Sequence, residues 1–149
     1  MRGIELRELL AIEIAVRPLV DLGGGRRYVA FDGDTFSGRD GLRGSVLDGG
    51  IDWQVVRPSG VLEIDAHYVL HAEEGEVIEV RSTGLRRASA EVTERIGRGE
   101  PVAPDEYYFR THIRLSTAVP RLGWMNDLIA VSTGQRERDV VRIDVHEVL

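Results

Sequence analysis

Apolar and polar residues alternate with a period of two over most of this sequence. The clearest case begins at Leu62, where the even positions as far as Leu70 are apolar or aromatic and the odd positions are mostly polar. Successive side chains of a β-strand point to opposite faces of a sheet, so this alternation is typical of a strand with one buried face. The buried faces of such strands must be covered, either by a second sheet or by closure of the same sheet.

Turn signals divide the alternating residues into short strands. We predict about nine or ten strands, at 12–17, 26–31, 42–47, 51–57, 61–72, 77–87, 106–119, 128–133 and 139–148, with loop or turn at 21–25 and 32–41. Only the segment from Ser89 to Ile96 has a helical period, with Ser89 as N-cap and Gly97 as the stop. The expected fold is all-β: a closed or nearly closed antiparallel barrel with one short helix, in a single domain over residues 1–149.

The composition excludes several classes of function. The chain has 19 basic and 25 acidic residues and a net charge of -6, which argues against binding to nucleic-acid phosphates. All its basic residues are Arg, which favours bidentate recognition of carboxylates or phosphates. Cysteine is absent, which excludes disulfides, Fe–S clusters, thiolate metal sites and a cysteine nucleophile. Since no segment is long and apolar enough to span a bilayer and no signal-peptide pattern is present, we expect a cytoplasmic protein that contacts no membrane.

Three segments resemble binding motifs without meeting their requirements. The glycines at 23–25 lack the spacing and the lysine of a phosphate-binding loop, and the segment 32–43 lacks the third oxygen ligand and the final Glu of a calcium loop. His67 and His71 are four residues apart, but on a strand this separates them by about 13 Å, too far to share one metal ion. We therefore expect no metal site.

The polar rows of the predicted strands have two interpretations. Asp65 and His67 share one face of their strand, and Tyr108, Arg110 and His112 share one face of another. Each row faces water, as in a sheet with one wet face, or lines a ligand cavity inside a small barrel. In the second interpretation these side chains supply a complete set of groups for acid–base catalysis.

The two tryptophans also have two interpretations. Trp53 lies on the strand face opposite to Asp52 and Gln54, and Trp124 is close in sequence to Asn126. Each tryptophan either packs in the core or forms a wall of a pocket for a flat, apolar ligand. In a pocket, Asn126 would donate a hydrogen bond to a substrate carbonyl.

Four stretches together resemble a family of small bacterial and fungal β-barrel proteins catalogued as domain of unknown function 3237. They are GGIDWQ at 49–54, LEIDAHYVL at 62–70, EYYFRT at 106–111 and WMN at 124–126. The resemblance covers nearly the whole chain and implies a single barrel that often self-associates as a homo-oligomer and uses no cofactor. Some similar proteins assist ring closure of polyketide-like or polyphenolic substrates in natural-product pathways. The residues that match the family's pattern are Asp52, Trp53, Asp65, Tyr68, Tyr108, Arg110, Trp124 and Asn126.

The chain departs from the family's pattern at three positions. His67 and Asp127 stand where Arg is usual, and Leu115 where Phe is expected. The change at His67 replaces a fixed charge by a group that titrates near neutral pH, and the change at Leu115 opens space. Both are expected to reshape a pocket.

The expected function is that of a cofactor-independent enzyme that cyclises, isomerises or adds intramolecularly within a hydrophobic, oxygen-rich small molecule in secondary metabolism. Asp65 is the candidate general base, assisted by His67. Arg110 and Asn126 would stabilise an enolate or phenolate oxygen, and Tyr108 would return the proton. The expected substrate-binding residues are Asp52, Trp53, Tyr68, His112, Trp124 and Asn126. The alternatives are a non-catalytic barrel that binds the same class of ligand, and a scaffold protomer with a packed core.

Overall fold

The structure, a computed structural model, describes residues 3–149, in which eleven β-strands accompany one α-helix and three short 3-10 helices. The strands are β1 (Leu6–Ala15), β2 (Val20–Gly23), β3 (Arg26–Ala30), β4 (Asp34–Gly38), β5 (Arg43–Val46), β6 (Ile51–Val56), β7 (Leu62–Ala72), β8 (Val77–Arg87), β9 (Tyr108–Ser116), β10 (Ala130–Glu137) and β11 (Val140–Val148). Helix α1 spans Ala90–Gly97, and the 3-10 helices span Arg39–Gly41, Pro104–Glu106 and Pro120–Asp127. The predicted all-β fold with one short α-helix is confirmed.

Eight of the strands close into an antiparallel barrel. Their order around the ring is β7-β5-β4-β1-β11-β10-β9-β8, and β8 pairs back onto β7. The β7–β8 pairing runs from Leu62 opposite Arg86 to His71 opposite Val77, which confirms the predicted hairpin. Closure leaves no free edge around this ring, and free edges are what make open sheets prone to aggregation.

The remaining strands, β2, β3 and β6, extend the sheet from one half of β7. Strand β6 pairs with residues 62–67 of β7, and β5 pairs with residues 70–72 along the same edge. Val16 forms an isolated bridge with Phe31, which brings the chain after β3 back beside the end of β1. At the end of the barrel formed by residues 62–67 of β7, the wall is therefore built by β6 and β3 instead of β5 and β4.

Two strands lie where the sequence predicted irregular structure. Strand β2 is exposed throughout, and β4 buries only Phe36, so neither shows the alternation that identifies a half-buried strand. Both are held by pairing with a neighbour, β2 with β3 and β4 with β1 and β5. Such pairing is a tertiary effect that local sequence does not encode.

Helix α1 begins as predicted. The Ser89 hydroxyl accepts a hydrogen bond of 3.1 Å from the backbone N–H of Val92, as an N-cap does. The helix anchors to the core through Ile96, its one buried residue. None of the helices in residues 3–149 is long and apolar enough to cross a membrane.

The hydrophobic core fills the barrel. Along β7 the even positions from Leu62 to Ala72 are buried and the odd positions are not, as the alternation predicted. The largest fully buried side chains are Ile12, Ile14, Leu70, Ile78, Val80, Ile113, Met125 and Val145. Each contributes about 1.5–3 kcal/mol to folding through burial of apolar surface.

Candidate functional site

One end of the barrel interior is polar. There Asp52 and Gln54 of β6 point inward and are 8% and 7% exposed, while Trp53 between them points outward. The two side chains line a cavity that we call the Asp52 cavity. Its polar lining consists of Asp52, Gln54, Tyr68, Ser82, Arg86 and Arg136.

The rest of the Asp52 cavity is apolar and small. Its walls include Val16, Phe31, Leu62, Phe109 and Ile143. The volume is about 40 Å³, against the roughly 10–15 Å³ that one water molecule needs on the same measure. As it stands, the cavity accommodates a group the size of a carboxylate or carbonyl rather than a whole polycyclic ligand.

Hydrogen bonds fix the Asp52 carboxylate. Gln54 Nε2 donates to Oδ2 at 2.7 Å, and the backbone N–H of Asp65 donates to Oδ1 at 3.1 Å. Arg27 Nε donates to Gln54 Oε1 at 2.8 Å. Because a guanidinium can only donate, this contact orients the Gln54 amide with its NH₂ group towards Asp52. Both carboxylate oxygens are thus held as acceptors, and each keeps a further lone pair for a proton.

Burial raises the pKa of Asp52 from 3.8 to about 6. The hydrogen bonds from Gln54 and from the Asp65 backbone oppose this rise, as does the positive charge of Arg86. A carboxyl group that titrates this close to neutral pH can both accept and release a proton under ordinary conditions.

Arg86 faces Asp52 without forming an ion pair. Burial lowers the pKa of Arg86 to about 10, helped by the positive charges of Arg27 and Arg136, so the guanidinium remains protonated at neutral pH. Within residues 3–149, no carboxylate oxygen lies within the 4.0 Å of a salt bridge from Arg86 or from Arg136. Positive and negative groups therefore line one cavity while held apart, an arrangement that leaves room for a polar group between them.

Tyr68 adds a neutral hydroxyl group. Its side chain is 2% exposed, its ring packs edge-on against Phe31 at 5.4 Å, and its hydroxyl has no hydrogen-bond partner among the described residues. Burial raises the pKa of Tyr68 well above its usual range, and the charge of Asp52 adds to this effect. Buried hydroxyls without partners are rare in folded proteins, so this group marks a position where a ligand atom can bind.

The catalytic residues predicted on β7 lie on the outer wall of the barrel. Asp65 contacts Arg81 at 3.3 Å, and His67 Nε2 lies 2.6 Å from Glu79 Oε1. These contacts join β7 to β8 across solvent-exposed surface. The polar row of β7 thus faces water, and the catalytic roles of Asp65 and His67 stay predictions.

The predicted residues of β9 also face outward. Arg87 and Arg110 lie over the Tyr108 ring, at 4.2 and 5.3 Å from its centroid. His112 is exposed on the same face. Because β8 lies between β7 and β9, the structure does not bring Arg110 and Asp65 together in a cavity.

The predicted pocket walls are also distributed over the surface. Trp53 is 50% exposed and packs against Tyr28 on the outer wall, with ring centroids 5.2 Å apart. Trp124 and Asn126 lie in the 3-10 helix at the far end of the barrel. There Asn126 hydrogen bonds the backbone N–H and C=O of Thr117, at 2.8 and 3.0 Å. Of the predicted substrate-binding residues, only Asp52 and Tyr68 line the Asp52 cavity.

Sequence reasoning missed the arginines of the cavity. Arg86 has the same parity as Ile78 and Val80 on β8, and Arg136 has the parity of Ala130 on β10. An arginine that continues an apolar row on the same strand face is the signal that identifies them. Within residues 3–149, no three His, Asp or Glu side chains come together where they could hold a metal ion.

Comparison with known proteins shows the family. The model of the family described as "Protein of unknown function (DUF3237)" matches residues 4–148. The chain belongs to this family. A DUF3237 relative, UPF0311 protein RPA1785 of Rhodopseudomonas palustris, is 37% identical over 126 residues, or 85% of this chain and 82% of that protein. Its crystal structure covers 100% of this chain and 99% of its own, with a TM-score of 0.95 and 33% identity.

Two further solved structures have a similar fold. A β-barrel-like protein from Acinetobacter baumannii has a TM-score of 0.84 and 30% identity over 100% of this chain and 98% of its own. An enzyme from Penicillium herquei has a TM-score of 0.71 over 100% of this chain and 97% of its own. The latter is 15% identical, so its likeness concerns the fold alone.

Proposed function

We propose that this protein is a cofactor-independent acid–base enzyme. In this proposal it isomerises, cyclises or adds intramolecularly within an oxygen-rich small molecule of the polyketide or polyphenol type. The observation that carries the proposal is the Asp52 cavity itself. A buried carboxyl group with a pKa of about 6 faces the guanidinium of Arg86 there, without an ion pair between them.

The chemistry follows from the charges. Ionised Asp52 removes a proton from a carbon or hydroxyl of the substrate, and the electron pair moves onto a carbonyl oxygen or stays on the hydroxyl oxygen. Arg86 stabilises the resulting enolate or phenolate, because a fixed charge in a water-poor site acts strongly on developing negative charge. Protonated Asp52 then returns the proton to a different atom, or to the product oxygen after ring closure. No electrons are gained or lost, so no oxidant or reductant is required.

Tyr68 serves as a hydrogen-bond donor in this scheme. Its raised pKa keeps the phenol protonated at neutral pH, so it cannot act as a base. Its unpartnered hydroxyl donates to a substrate oxygen and orients the reacting carbonyl. This contact is available to substrate and transition state alike, so its main effect is on binding.

A non-catalytic binding barrel is the second candidate. The unpaired guanidinium groups of Arg86 and Arg136 favour it, because they supply affinity for an anion whether or not a reaction follows. A binding protein would need the arginines, but it would need no group that titrates near neutral pH.

Deuterium exchange tests the proposal. Enolisable 1,3-dicarbonyl compounds and aryl ketones are incubated with the protein in D₂O, and loss of the α-proton signal is followed by ¹H NMR. Intramolecular products are sought in parallel as species of unchanged mass and altered retention on chromatography. The proposal predicts saturable acceleration of exchange. Binding of these compounds in the cavity without any exchange or isomeric product would support the binding barrel instead.

A further inference from the structure

We propose that the Asp52 cavity recognises an organic acid, with the ligand's carboxylate on Arg86 and Arg136 and its apolar body against the hydrophobic wall. This inference rests on the proposed function for the location of the site: the carboxylate takes the place on Arg86 and Tyr68 that the enolate or phenolate oxygen has in the proposed reaction. It concerns binding, however, and is tested without any reaction.

The charges around the cavity do not balance. Arg86 and Arg136 line the cavity, the charge of Arg136 lowers the pKa of Arg86, and Asp52 is the one carboxylate among the described residues that lines it. With Asp52 ionised, these three groups carry a net charge of about +1 from the ordinary charges of their side chains. Since holding like charges close together in a half-buried site is unfavourable, the fold holds these arginines at a cost in stability that an anionic ligand offsets.

The guanidinium groups differ in whether their N–H donors already have acceptors within the protein. Arg27 Nε is committed to Gln54, and Arg136 Nε donates to the backbone carbonyl of Arg138 at 2.9 Å. Arg86 has no side-chain hydrogen bond to any of the described residues. Its planar fork of donors matches the two oxygens of a carboxylate. Arg86 is therefore the principal anchor, and Arg136 contributes its remaining donors.

The unpartnered hydroxyl of Tyr68 completes the donor set. It is almost fully buried, it lines the same cavity, and it has no acceptor among the described residues. A carboxylate has about four lone-pair positions, so it can accept from Arg86 and Tyr68 at once. One ligand group would thus satisfy both unpaired features of the cavity.

The size and lining of the cavity favour a carboxylate over an inorganic anion. Its volume of about 40 Å³ suits a flat head group, and the wall includes the apolar side chains of Val16, Phe31 and Phe109. Phosphate and sulfate offer no apolar surface to these side chains. The head group takes up the volume present, so an attached ring enters by moving these side chains apart, and it gains about 25 cal/mol for each Å² of its apolar surface removed from water. We therefore expect affinity to rise from acetate to an acid with an apolar ring.

The test compares probes of matched shape. Binding of benzoate, cyclohexanecarboxylate, acetate, benzamide and inorganic phosphate to the full chain is measured by NMR titration and calorimetry at one pH. Benzoate is expected to bind at least about 10-fold more tightly than benzamide, which has the same ring but no charge. Phosphate is expected to bind more weakly than benzoate.

Variants locate the binding site. Arg86→Met should weaken benzoate binding by about 10- to 100-fold, the usual value of a charge-assisted hydrogen bond. Arg136→Met should weaken it less, because part of that guanidinium is already engaged. Arg114→Met removes an exposed arginine from the outer face of β9 and is the matched control, with unchanged affinity expected. Melting temperatures confirm that each variant is folded, and Arg136→Met keeps the test valid should Arg86→Met fail to fold.

Three results would overturn the inference. They are equal affinity for benzoate and benzamide, parent-like benzoate binding by both cavity variants, and no saturable binding of any acid up to about 10 mM. Deuterium exchange of neutral ketones that persists in any of these cases would leave the proposed acid–base function standing. Conversely, tight benzoate binding without deuterium exchange of any compound would support the organic-acid binding site and contradict the proposed enzymatic function.

Discussion

The side-chain amide of Gln54 donates a hydrogen bond of 2.7 Å to the carboxylate of Asp52, two residues earlier on the same inward face of β6. Arg27 holds the other end of that amide at 2.8 Å. Arg27 is therefore linked to Asp52 through the neutral amide of Gln54 rather than by an ion pair. A direct ion pair would favour the ionised carboxylate and lower the pKa of Asp52. With the amide in between, the largest effect on this pKa is burial, which raises it.

The pH dependence of stability reports this arrangement. Because the pKa of Asp52 is raised from 3.8 to about 6, the folded protein binds the proton more tightly than the unfolded chain. As pH rises from about 4 to about 6, Asp52 lowers the free energy of unfolding by about 3 kcal/mol in total, and the loss then stays constant. Asp52→Asn removes this contribution to the pH dependence of the free energy of unfolding. Urea denaturation at several pH values should show the variant gaining stability relative to the parent across this window.

The control for that experiment is Asp144→Asn, which removes an exposed carboxylate from β11. It accounts for the change in net charge. A stability difference between Asp52→Asn and the parent that stays constant with pH would show that Asp52 has an ordinary pKa. In Asp52→Asn, the new side-chain NH₂ group faces the NH₂ group of Gln54, so two donors meet. This mismatch lowers the free energy of unfolding of the variant by the same amount at every pH.

Replacing Arg86 separates function from stability. Arg86→Met retains most of the aliphatic stem and removes a half-buried charge that Arg27 and Arg136 repel. At pH 5, where Asp52 is mostly protonated and Arg86 has no opposite charge to stabilise, its melting temperature should be at least that of the parent, while anion affinity falls. The exposed control, Arg114→Met, should change stability by no more than about 0.5 kcal/mol. A large drop in the melting temperature of Arg86→Met alone would mean that Arg86 supports the fold.

Two tyrosines provide a matched pair. The Tyr107 hydroxyl accepts a hydrogen bond of 2.8 Å from the backbone N–H of Arg136, whereas the Tyr68 hydroxyl has no partner among the described residues. Tyr107→Phe should lower the free energy of unfolding by about 1 kcal/mol, and Tyr68→Phe should leave it unchanged or raise it. Chemical denaturation measures both. Equal losses in the two variants would indicate that Tyr68 has a structural partner.

Gly50 allows Tyr68 and Phe31 to pack closely against its backbone. A Cβ atom at position 50 would lie 2.6 Å from Tyr68 Cβ and 2.8 Å from Phe31 Cδ2. Gly50→Ala should therefore lower the free energy of unfolding by about 1–3 kcal/mol through overpacking. Gly123→Ala is the control, because nothing lies within 4 Å of its Cβ position. Thermal denaturation showing no difference between the two would contradict this packing.

The barrel could be predicted because it is encoded locally. The alternation along β7 gives the strand, its buried face and its hairpin with β8, all of which the structure has. The additional strands β2 and β4 could not be predicted, because they are short and acquire their structure from pairing. Nothing in a single sequence specifies that β5 and β6 share one edge of β7.

The candidate site was predictable only in part, for a related reason. The sequence predicts Asp52 and Tyr68 as substrate-binding residues, but it places the catalytic groups on the polar rows through Asp65 and Arg110, which hold more ionisable side chains. A continuous polar row covers the wet face of a sheet, and the informative residues are isolated polar ones on the apolar face. Arg86 meets that criterion, and its assembly with Asp52 depends on strand order.

The exchange rate of Asp52→Asn tests the central claim most directly. Deuterium exchange of the best carbonyl compound is measured for the parent, Asp52→Asn, Asp65→Asn and the outer-wall control Asp144→Asn, with melting temperatures recorded alongside. Loss of the general base should slow exchange by roughly 10²–10⁴-fold in Asp52→Asn, while Asp144→Asn matches the parent. Parent-like exchange by a folded Asp52→Asn, together with loss confined to Asp65→Asn, would place the chemistry on the outer wall and contradict the assignment of the Asp52 cavity.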